Sequence, residues 1–199
     1  SLSLCNYRNR LFFNSMNHSR SSLKKTKKNS EENSNQPFKT YVNKAITQIP
    51  SFQPYSSIIT IDVSQNPITD FQGLVFLPCL RTLRADFTKI SSFQGALSLP
   101  TLQNLSLIGT PLTKYKHFNL MCLISFGQSI QIINEHYVNP RTKDLALQYS
   151  PHFLTYLQQG YLVMNAKSKE VWKPGESSSI ILDMDPQNAR DQEQTKKEN

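Results

Sequence analysis

The feature that most constrains this chain is an apolar pattern that returns every 22 residues. Three copies share the spacing L-x-x-L-x-L-x-x-N-x-L, and their defining residues are Ile58, Ile61, Val63, Asn66 and Ile68, then Leu80, Leu83, Ala85, Thr88 and Ile90, then Leu102, Leu105, Leu107, Thr110 and Leu112. A unit of this length cannot bury its apolar side alone, so repeated units stack and share a core. We therefore expect one continuous core between residues 58 and 112.

The second half of each unit repeats as well. Phe71-Gln72-Gly73 returns as Phe93-Gln94-Gly95, and Pro78 returns as Pro100. A partial unit precedes the first full copy, because four apolar residues lie one period before their counterparts. They are Ile46, Ile49, Phe52 and Tyr55. The pattern predicts that the array opens with this partial repeat and that these apolar side chains point inward.

The repeat resembles the leucine-rich repeat family, in particular its short 22-residue intracellular class, which includes a protein-phosphatase-1 regulator. The resemblance covers about residues 45–148. It implies an α/β fold: a short right-handed horseshoe solenoid with parallel strands on its concave face, a helical C-terminal cap and disordered tails. In this family the asparagine of each unit bonds the neighbouring backbone and forms a ladder. Asn66 keeps that residue type, whereas Thr88 and Thr110 offer a hydroxyl with less bonding capacity.

The period breaks after the third copy. Extrapolation places the next strand at Ile124, but a better strand candidate, Ile130 to Ile133, lies six residues later. The inserted segment has apolar residues at helical spacing from Phe118 to Phe126, and Gly127 after it can adopt the left-handed conformation that ends a helix. The sequence therefore predicts a helix inserted before the last strand.

This segment also resembles the motif that caps short-repeat arrays. Its counterparts here are Thr110-Pro111-Leu112-Thr113, His117-Phe118 and the stretch from Ile130 to Asn134, in which Asn134 replaces the usual aspartate. The resemblance implies that the leucine-rich repeats and their cap together occupy residues 41–138.

Two further helices are predicted in residues 139–164, where they would cover the last repeat. Asn139-Pro140 starts one that runs through Tyr149, and Ser150-Pro151 starts another that ends at Gly160. Proline is favoured in the first turn of a helix, where its missing N–H has no helical partner. We expect these helices to act as the C-terminal end of the array.

Both ends of the chain are predicted to be tails. Residues 1–40 carry eight Lys and Arg against two Glu and supply most of the formal net charge of +8, so they form a basic low-complexity tail. Its candidate anchors for an acidic surface are Lys24, Lys25, Lys27 and Lys28. The alternatives are a solvated tail or a mitochondrial leader, and Met16 is an alternative start to Ser1. Residues 165–199 form a flexible charged tail, in which Trp172 either docks to a partner or packs back onto its own domain.

The resemblance places the protein-binding surface on the concave sheet. Residues between the strand leucines face outward there, in columns whose members stand about 4.8 Å apart. The columns are Thr60, Thr82 and Asn104; Asp62, Arg84 and Ser106; and Ser64, Asp86 and Ile108. Asp62 and Arg84 are therefore expected to be neighbours. Phe87, which follows the second strand, is either an exposed anchor or packed into the turn.

Signatures of enzymes and cofactor sites are absent from the sequence. It has no G-x-x-x-x-G-K-[ST] phosphate loop, no G-x-G-x-x-G, no G-x-S-x-G and no H-E-x-x-H, and its four histidines are scattered. We therefore expect a non-enzymatic chain with no cofactor, no metal and no small-molecule substrate.

The expected function is a protein-protein interaction module or scaffold subunit of a larger assembly. The short-repeat class includes proteins of the cilium, the flagellar axoneme and the microtubule cytoskeleton, and a basic arm would suit tubulin, so tubulin or axonemal proteins are the expected partners. The alternative is ribonucleoprotein assembly, because the cap segment KYKHFNLMCLI is similar to that of the A-prime protein of the U2 spliceosomal particle; nucleic acid is the less favoured partner. Three widely spaced cysteines and the lack of a long apolar run favour a cytoplasmic protein without membrane contact.

Overall fold

A mixed α/β fold with a parallel sheet is present in the computed structural model, which describes residues 36–182. Six short strands form the first sheet in sequence order, namely β1 (Phe38–Thr40), β2 (Thr60–Asp62), β3 (Thr82–Arg84), β4 (Asn104–Ser106), β5 (Ile132–Ile133) and β6 (His136–Tyr137). Neighbouring strands from β1 to β5 are parallel, and β6 turns back antiparallel to β5. This arrangement agrees with a leucine-rich-repeat-like fold.

The register of the sheet follows the sequence period. Thr60 pairs with Thr82, and Thr82 pairs with Asn104, so each coil of chain advances by one strand per repeat. Asn104 then pairs with Ile132, so this last step is longer than one period. The additional length accommodates the helix inserted before β5, as the sequence predicts.

The sheet begins earlier than expected, because β1 lies within the predicted basic tail of residues 1–40. Phe38 pairs with Thr60, which is again one period away, so an additional coil precedes the first full repeat. The apolar pattern did not reveal this coil because Lys39 and Tyr41 stand at the positions of Ile61 and Val63. The tail assignment is therefore wrong for residues 38–40.

The core lies behind the sheet and is built from the repeated apolar positions. Ile61, Leu83 and Leu105, one from each repeat, are at most 1% exposed. Further from the sheet, the rings of Phe71 and Phe93 stack at 6.0 Å between centroids, and Phe126 packs edge-on against Phe71 at 5.0 Å. Equivalent side chains of successive coils therefore touch directly.

Tyr55 departs from its predicted inward position. Its side chain is 62% exposed and makes an edge contact with the Phe76 ring at 5.4 Å between centroids. The backbone of Tyr55 has a φ of 60°, which turns the side chain away from the core. By contrast, Ile49 and Phe52 of the same partial repeat are buried, as predicted.

Asn66 makes the inter-coil bonds that the family resemblance implies. Its Oδ1 accepts hydrogen bonds from the backbone N–H groups of Lys44 and Ile46, and its Nδ2 donates to the carbonyl of Tyr41, all in the preceding coil. Thr88 and Thr110 differ, because each donates its hydroxyl proton to a nearby carbonyl in its own coil, at 2.8 Å. The asparagine ladder therefore has one rung among the three repeats.

Helices follow the last repeat. A short 3-10 helix spans Pro111–Lys114, and three α-helices follow: α1 (Phe118–Phe126), α2 (Pro140–Leu147) and α3 (Pro151–Gln158). Asn139 caps α2, since its Oδ1 accepts from the Arg141 N–H at 2.9 Å. Gly127 follows the last residue of α1 and has a positive φ of 119°. The left-handed helical conformation that the sequence predicted is not adopted, because the ψ of Gly127 is 167°, which is extended. No helix among residues 36–182 is long and apolar enough to cross a membrane.

A second sheet occupies residues predicted to be a flexible tail. Strands β7 (Leu162–Asn165), β8 (Glu170–Trp172) and β9 (Ser179–Ile181) form an antiparallel meander. The prediction of a tail from residue 165 is thus wrong up to residue 182, because these strands add to the core of the repeats. Val163 and Val171 are buried, and the hydroxyl of Tyr149 donates to the carbonyl of Ala166 at 2.9 Å.

Candidate protein-binding face of the sheet

The outer sheet face is the side of β1–β6 opposite the core. Side chains alternate along a strand, so the neighbours of the buried Ile61, Leu83 and Leu105 point outward. One outward row crosses the whole sheet in register and consists of Phe38, Thr60, Thr82, Asn104, Ile132 and Tyr137. A second row contains Thr40, Asp62, Arg84 and Ser106. Two of the predicted columns therefore lie on one accessible face.

The third predicted column is placed differently. Ser64 and Asp86 are only 7% and 4% exposed, so their assignment to the outward surface is wrong. Ser64 Oγ accepts from the backbone N–H of Asp86 at 3.1 Å, and Asp86 Oδ1 accepts from the N–H of Ile108 at 2.8 Å. Each polar side chain thus bonds the equivalent residue of the next coil. Ile108 ends this ladder and is partly exposed.

Charged groups meet near the middle of the face. Arg84 Nη2 lies 3.2 Å from Asp86 Oδ2, and Arg84 Nε lies 3.9 Å from Asp62 Oδ2, which confirms the predicted proximity of Asp62 and Arg84. The hydroxyl of Ser106 donates to Asp86 Oδ1 at 2.5 Å. This charge cluster, defined as Asp62, Arg84 and Asp86, contains two carboxylates and one guanidinium and carries one net negative charge.

Phe87 lies at the edge of this face with its ring in solvent. Its side chain is 63% exposed and its φ is 55°, which resolves the two sequence-based alternatives in favour of the exposed one. The ring lies against Gly109, where an added Cβ would come within 2.6 Å of the ring Cδ1. The backbone N–H of Phe87 donates to the carbonyl of Ile108 at 2.7 Å, so the turn is fixed to the next coil.

Three apolar residues of the face were not predicted from the sequence. Phe38 is 61% exposed and Tyr137 is 83% exposed, while Ile132 is partly buried beside Tyr137. Counting one period back from Thr60 would have found Phe38. The position of Tyr137 beside Ile132 depends on a tight turn in which Asn134 and Glu135 both have positive φ. The sequence of this turn has no Asn-Gly pair that would have predicted it.

Of the predicted tail anchors, Trp172 lies among the described residues, and it is not part of this face. Trp172 lies in β8 of the second sheet, where it is partly buried and its indole N–H donates to the carbonyl of Glu176 at 2.7 Å. Its role as a docking residue therefore stays a prediction. Lys24, Lys25, Lys27 and Lys28 lie outside the described residues.

Titratable groups with shifted pKa values lie away from the outer sheet face. Burial lowers the pKa of His117, the nearby Lys116 charge lowers it further, and a hydrogen bond to the Met164 backbone opposes both effects. Burial raises the pKa of the Tyr149 hydroxyl and of the free Cys122 thiol inside α1.

A surface cavity of about 350 Å³ opens between the 3-10 helix, α1 and α2. Lys116, His117 and Thr142 are among its lining residues, which include no carboxylate and no thiol. His117 therefore has no acidic partner there for acid-base chemistry. Among residues 36–182, no cluster of three or more His, Cys, Asp or Glu side chains could hold a metal ion.

Comparisons with known proteins leave the family open. No protein-family model matches the chain, and no curated protein matches it. Among solved structures, the chain is similar to the crystal structure of the Drosophila melanogaster SNF/U2A' complex, with 15% sequence identity and a TM-score of 0.33. The match covers 56% of this chain and 78% of that chain. At this level the similarity supports no conclusion about fold or function.

Proposed function

We propose that this chain is a non-enzymatic interaction module that binds another protein through its outer sheet face. In this proposal it is a short leucine-rich-repeat solenoid of the short intracellular class, closed by a C-terminal helical cap. The observation that carries it is the register of β1–β5, which places equivalent residues of successive coils side by side on one accessible surface. Repeat architectures of this kind bind partners over such continuous faces.

The composition of the face suits a protein partner. Exposed aromatic residues, Phe38, Tyr137 and Phe87, surround a polar centre that contains the charge cluster. Aromatic and arginine side chains are enriched among residues that dominate binding energy, and they act when a partner excludes water around them. We therefore assign binding energy to the aromatic residues and orientation to the polar centre.

A bulky charged residue in the middle of the outer sheet face tests this proposal. We expect Thr82→Arg to remove the partner, because Thr82 lies in the central strand β3 and faces outward. The matched control is Thr155→Arg, on the exposed side of α3. Affinity purification with quantitative mass spectrometry should recover the same partner with the wild type and Thr155→Arg. Equal recovery with Thr82→Arg would reject the outer sheet face as the binding site.

We further propose that the module works in the cytoplasm within a cytoskeletal assembly, with microtubules or axonemal proteins as partners. Support comes from the excess of basic residues in 1–40, which suits an acidic partner surface. The test is co-sedimentation with microtubules at low and physiological salt, with a chain lacking residues 1–35 as the control. If neither form sediments at low salt, the cytoskeletal part of the proposal is wrong.

Ribonucleoprotein assembly is the alternative that the same experiments must separate. Direct contact with RNA would weaken steeply with salt, because phosphate contacts release counterions. Crosslinking of the full chain to RNA, combined with failure to bind microtubules, would favour this alternative. Loss of RNA crosslinking at moderate salt with retained protein binding would favour the protein partner.

A further inference from the structure

Phe87 adopts a backbone conformation that is unfavourable for its residue type. Its φ of 55° lies in the left-handed region, where bulky L residues are rare and glycine or asparagine is preferred. The equivalent positions of the other coils share this turn, since Asn43, Gln65 and Gly109 also have positive φ. A bulky aromatic ring is therefore not required by the turn itself.

The hydrogen bonds of this turn do not need the ring either. The N–H of Gln65 donates to the carbonyl of Asp86 at 2.8 Å, and the N–H of Phe87 donates to the carbonyl of Ile108 at 2.7 Å. Both bonds use backbone atoms, so any residue other than proline can make them. Strained residues that the fold does not require are candidates for a functional role.

Gly109 provides the place where the Phe87 ring rests. A Cβ at Gly109 would be 2.6 Å from Cδ1 of the ring and 2.9 Å from Cε1, so any larger residue would displace the ring. One side of the ring is covered by this glycine, and 63% of the side chain remains in solvent. The exposed side can pack against an apolar side chain of a partner.

The charge cluster beside Phe87 defines the second half of the site. Asp86, which precedes Phe87, is buried and engages Arg84, Ser106 and the Ile108 backbone. Asp62 is the more accessible carboxylate, with 23% of its side chain exposed and 3.9 Å to Arg84 Nε. A partner that excludes water would leave the net negative charge uncompensated unless it supplied a cation.

We propose that Phe87 and Asp62 form a two-part anchor for a protein segment that presents an aliphatic or aromatic side chain to Phe87 and a lysine or arginine to Asp62. This inference rests on the proposed function and specifies the chemistry of its partner. Phe87 supplies apolar contact area, and Asp62 selects a basic neighbour.

Selection from a phage-displayed library of random peptides on the full chain tests the anchor. Enriched peptides should combine an apolar residue with a nearby Lys or Arg. Their affinity should fall at least tenfold in Phe87→Asn and in Asp62→Asn. Gln65→Asn is the matched control, because it changes the equivalent turn one coil earlier, and its affinity should stay within twofold of the wild type.

Other outcomes overturn the anchor in distinguishable ways. If Thr82→Arg abolishes peptide binding but Phe87→Asn and Asp62→Asn do not, the binding face stands and the anchor is wrong. If none of these variants affects binding, or if no peptide is enriched, both proposals fail. An acidic consensus in the peptides would also reject the anchor.

A measurement without any partner gives a second test. Asparagine tolerates positive φ better than phenylalanine, so Phe87→Asn should not lower the urea midpoint of unfolding, and Gln65→Asn should behave in the same way. A lower midpoint for Phe87→Asn alone would mean that the ring stabilises the fold. In that case stability alone would explain why a phenylalanine stands at position 87, and the inference would be overturned.

Discussion

Asn66 illustrates at the residue scale how one polar side chain holds two coils together. Its amide bonds backbone groups of the preceding coil at Tyr41, Lys44 and Ile46, and its Nδ2 also donates to the carbonyls of Val63 and Ser64. The side chain is buried. Its removal would therefore take a hydrogen-bond partner from several buried or partly buried backbone groups.

We expect Asn66→Ala to lower the free energy of unfolding by about 3–4 kcal/mol, since each unsatisfied buried group costs about 1–3 kcal/mol. Thr88→Val is the matched comparison, because Thr88 donates one hydrogen bond within its own coil, to Ala85. Its loss should cost only about 1 kcal/mol. Urea unfolding followed by circular dichroism measures both changes, and equal losses would contradict the role of Asn66 as the inter-coil rung.

His117 gives a residue-scale prediction about pH. Its pKa in the folded chain is lowered, mainly by burial, so between the folded value and about 6.5 the unfolded chain binds more protons. Stability must then rise with pH in this window, and the His117 contribution is lost as the pH falls below about 6.5. We expect the urea midpoint to fall from about pH 7.5 to about pH 5.5. The decrease should be smaller in His117→Gln, and an unchanged decrease would exclude His117 as its source.

At the element scale, the return segment of each coil depends on close backbone contact. A Cβ at Gly95 would lie 2.5 Å from the backbone nitrogen of Gln72 in the preceding coil, and Gly95 has a φ of 77°. Gly95→Ala should therefore cost about 2–4 kcal/mol from strain and overpacking. Gly175→Ala measures the cost of backbone strain without overpacking, because Gly175 has a positive φ but no atom lies within 4 Å of its Cβ position. Equal losses of stability in the two variants would reject the close-packing explanation.

Elements were predictable from sequence where the apolar period is regular. Strands β2–β4 follow from it, whereas helix α1 follows from the helical spacing of apolar residues in the segment inserted after the third repeat. Strand β1 was missed because Lys39 and Tyr41 replace the expected leucines. Strands β7–β9 were missed because each is at most four residues long and, unlike β2–β4, none belongs to the 22-residue repeat that would have revealed it. Asp86, a carboxylate, was predicted to face solvent. It is buried instead, since backbone and side-chain groups donate hydrogen bonds to it. Burial of such a group depends on partners from the next coil, which the local sequence does not reveal.

For the whole molecule, the second sheet extends the core of the repeats beyond the last coil. The backbone N–H of Val163 donates to Met121 Sδ of α1 at 3.2 Å, and Gln158 Nε2 of α3 donates to the carbonyl of Ala96, in the coil that follows β3, at 2.6 Å. Val171 is fully buried in the same core as the repeat residues. We therefore expect the repeats and the second sheet to unfold together.

Val171→Ala tests this cooperativity, with Ile181→Ala as the matched control on the exposed part of the same sheet. Val171→Ala should lower the free energy of unfolding by about 2 kcal/mol, whereas Ile181→Ala should change it by less than about 0.5 kcal/mol. Hydrogen exchange at Leu83, in the central strand β3, reports on the repeats directly. If the two regions unfold as one unit, exchange at Leu83 through global unfolding will accelerate in Val171→Ala by the factor that the stability loss predicts. Unchanged exchange at Leu83 would show instead that the second sheet opens independently of the repeats.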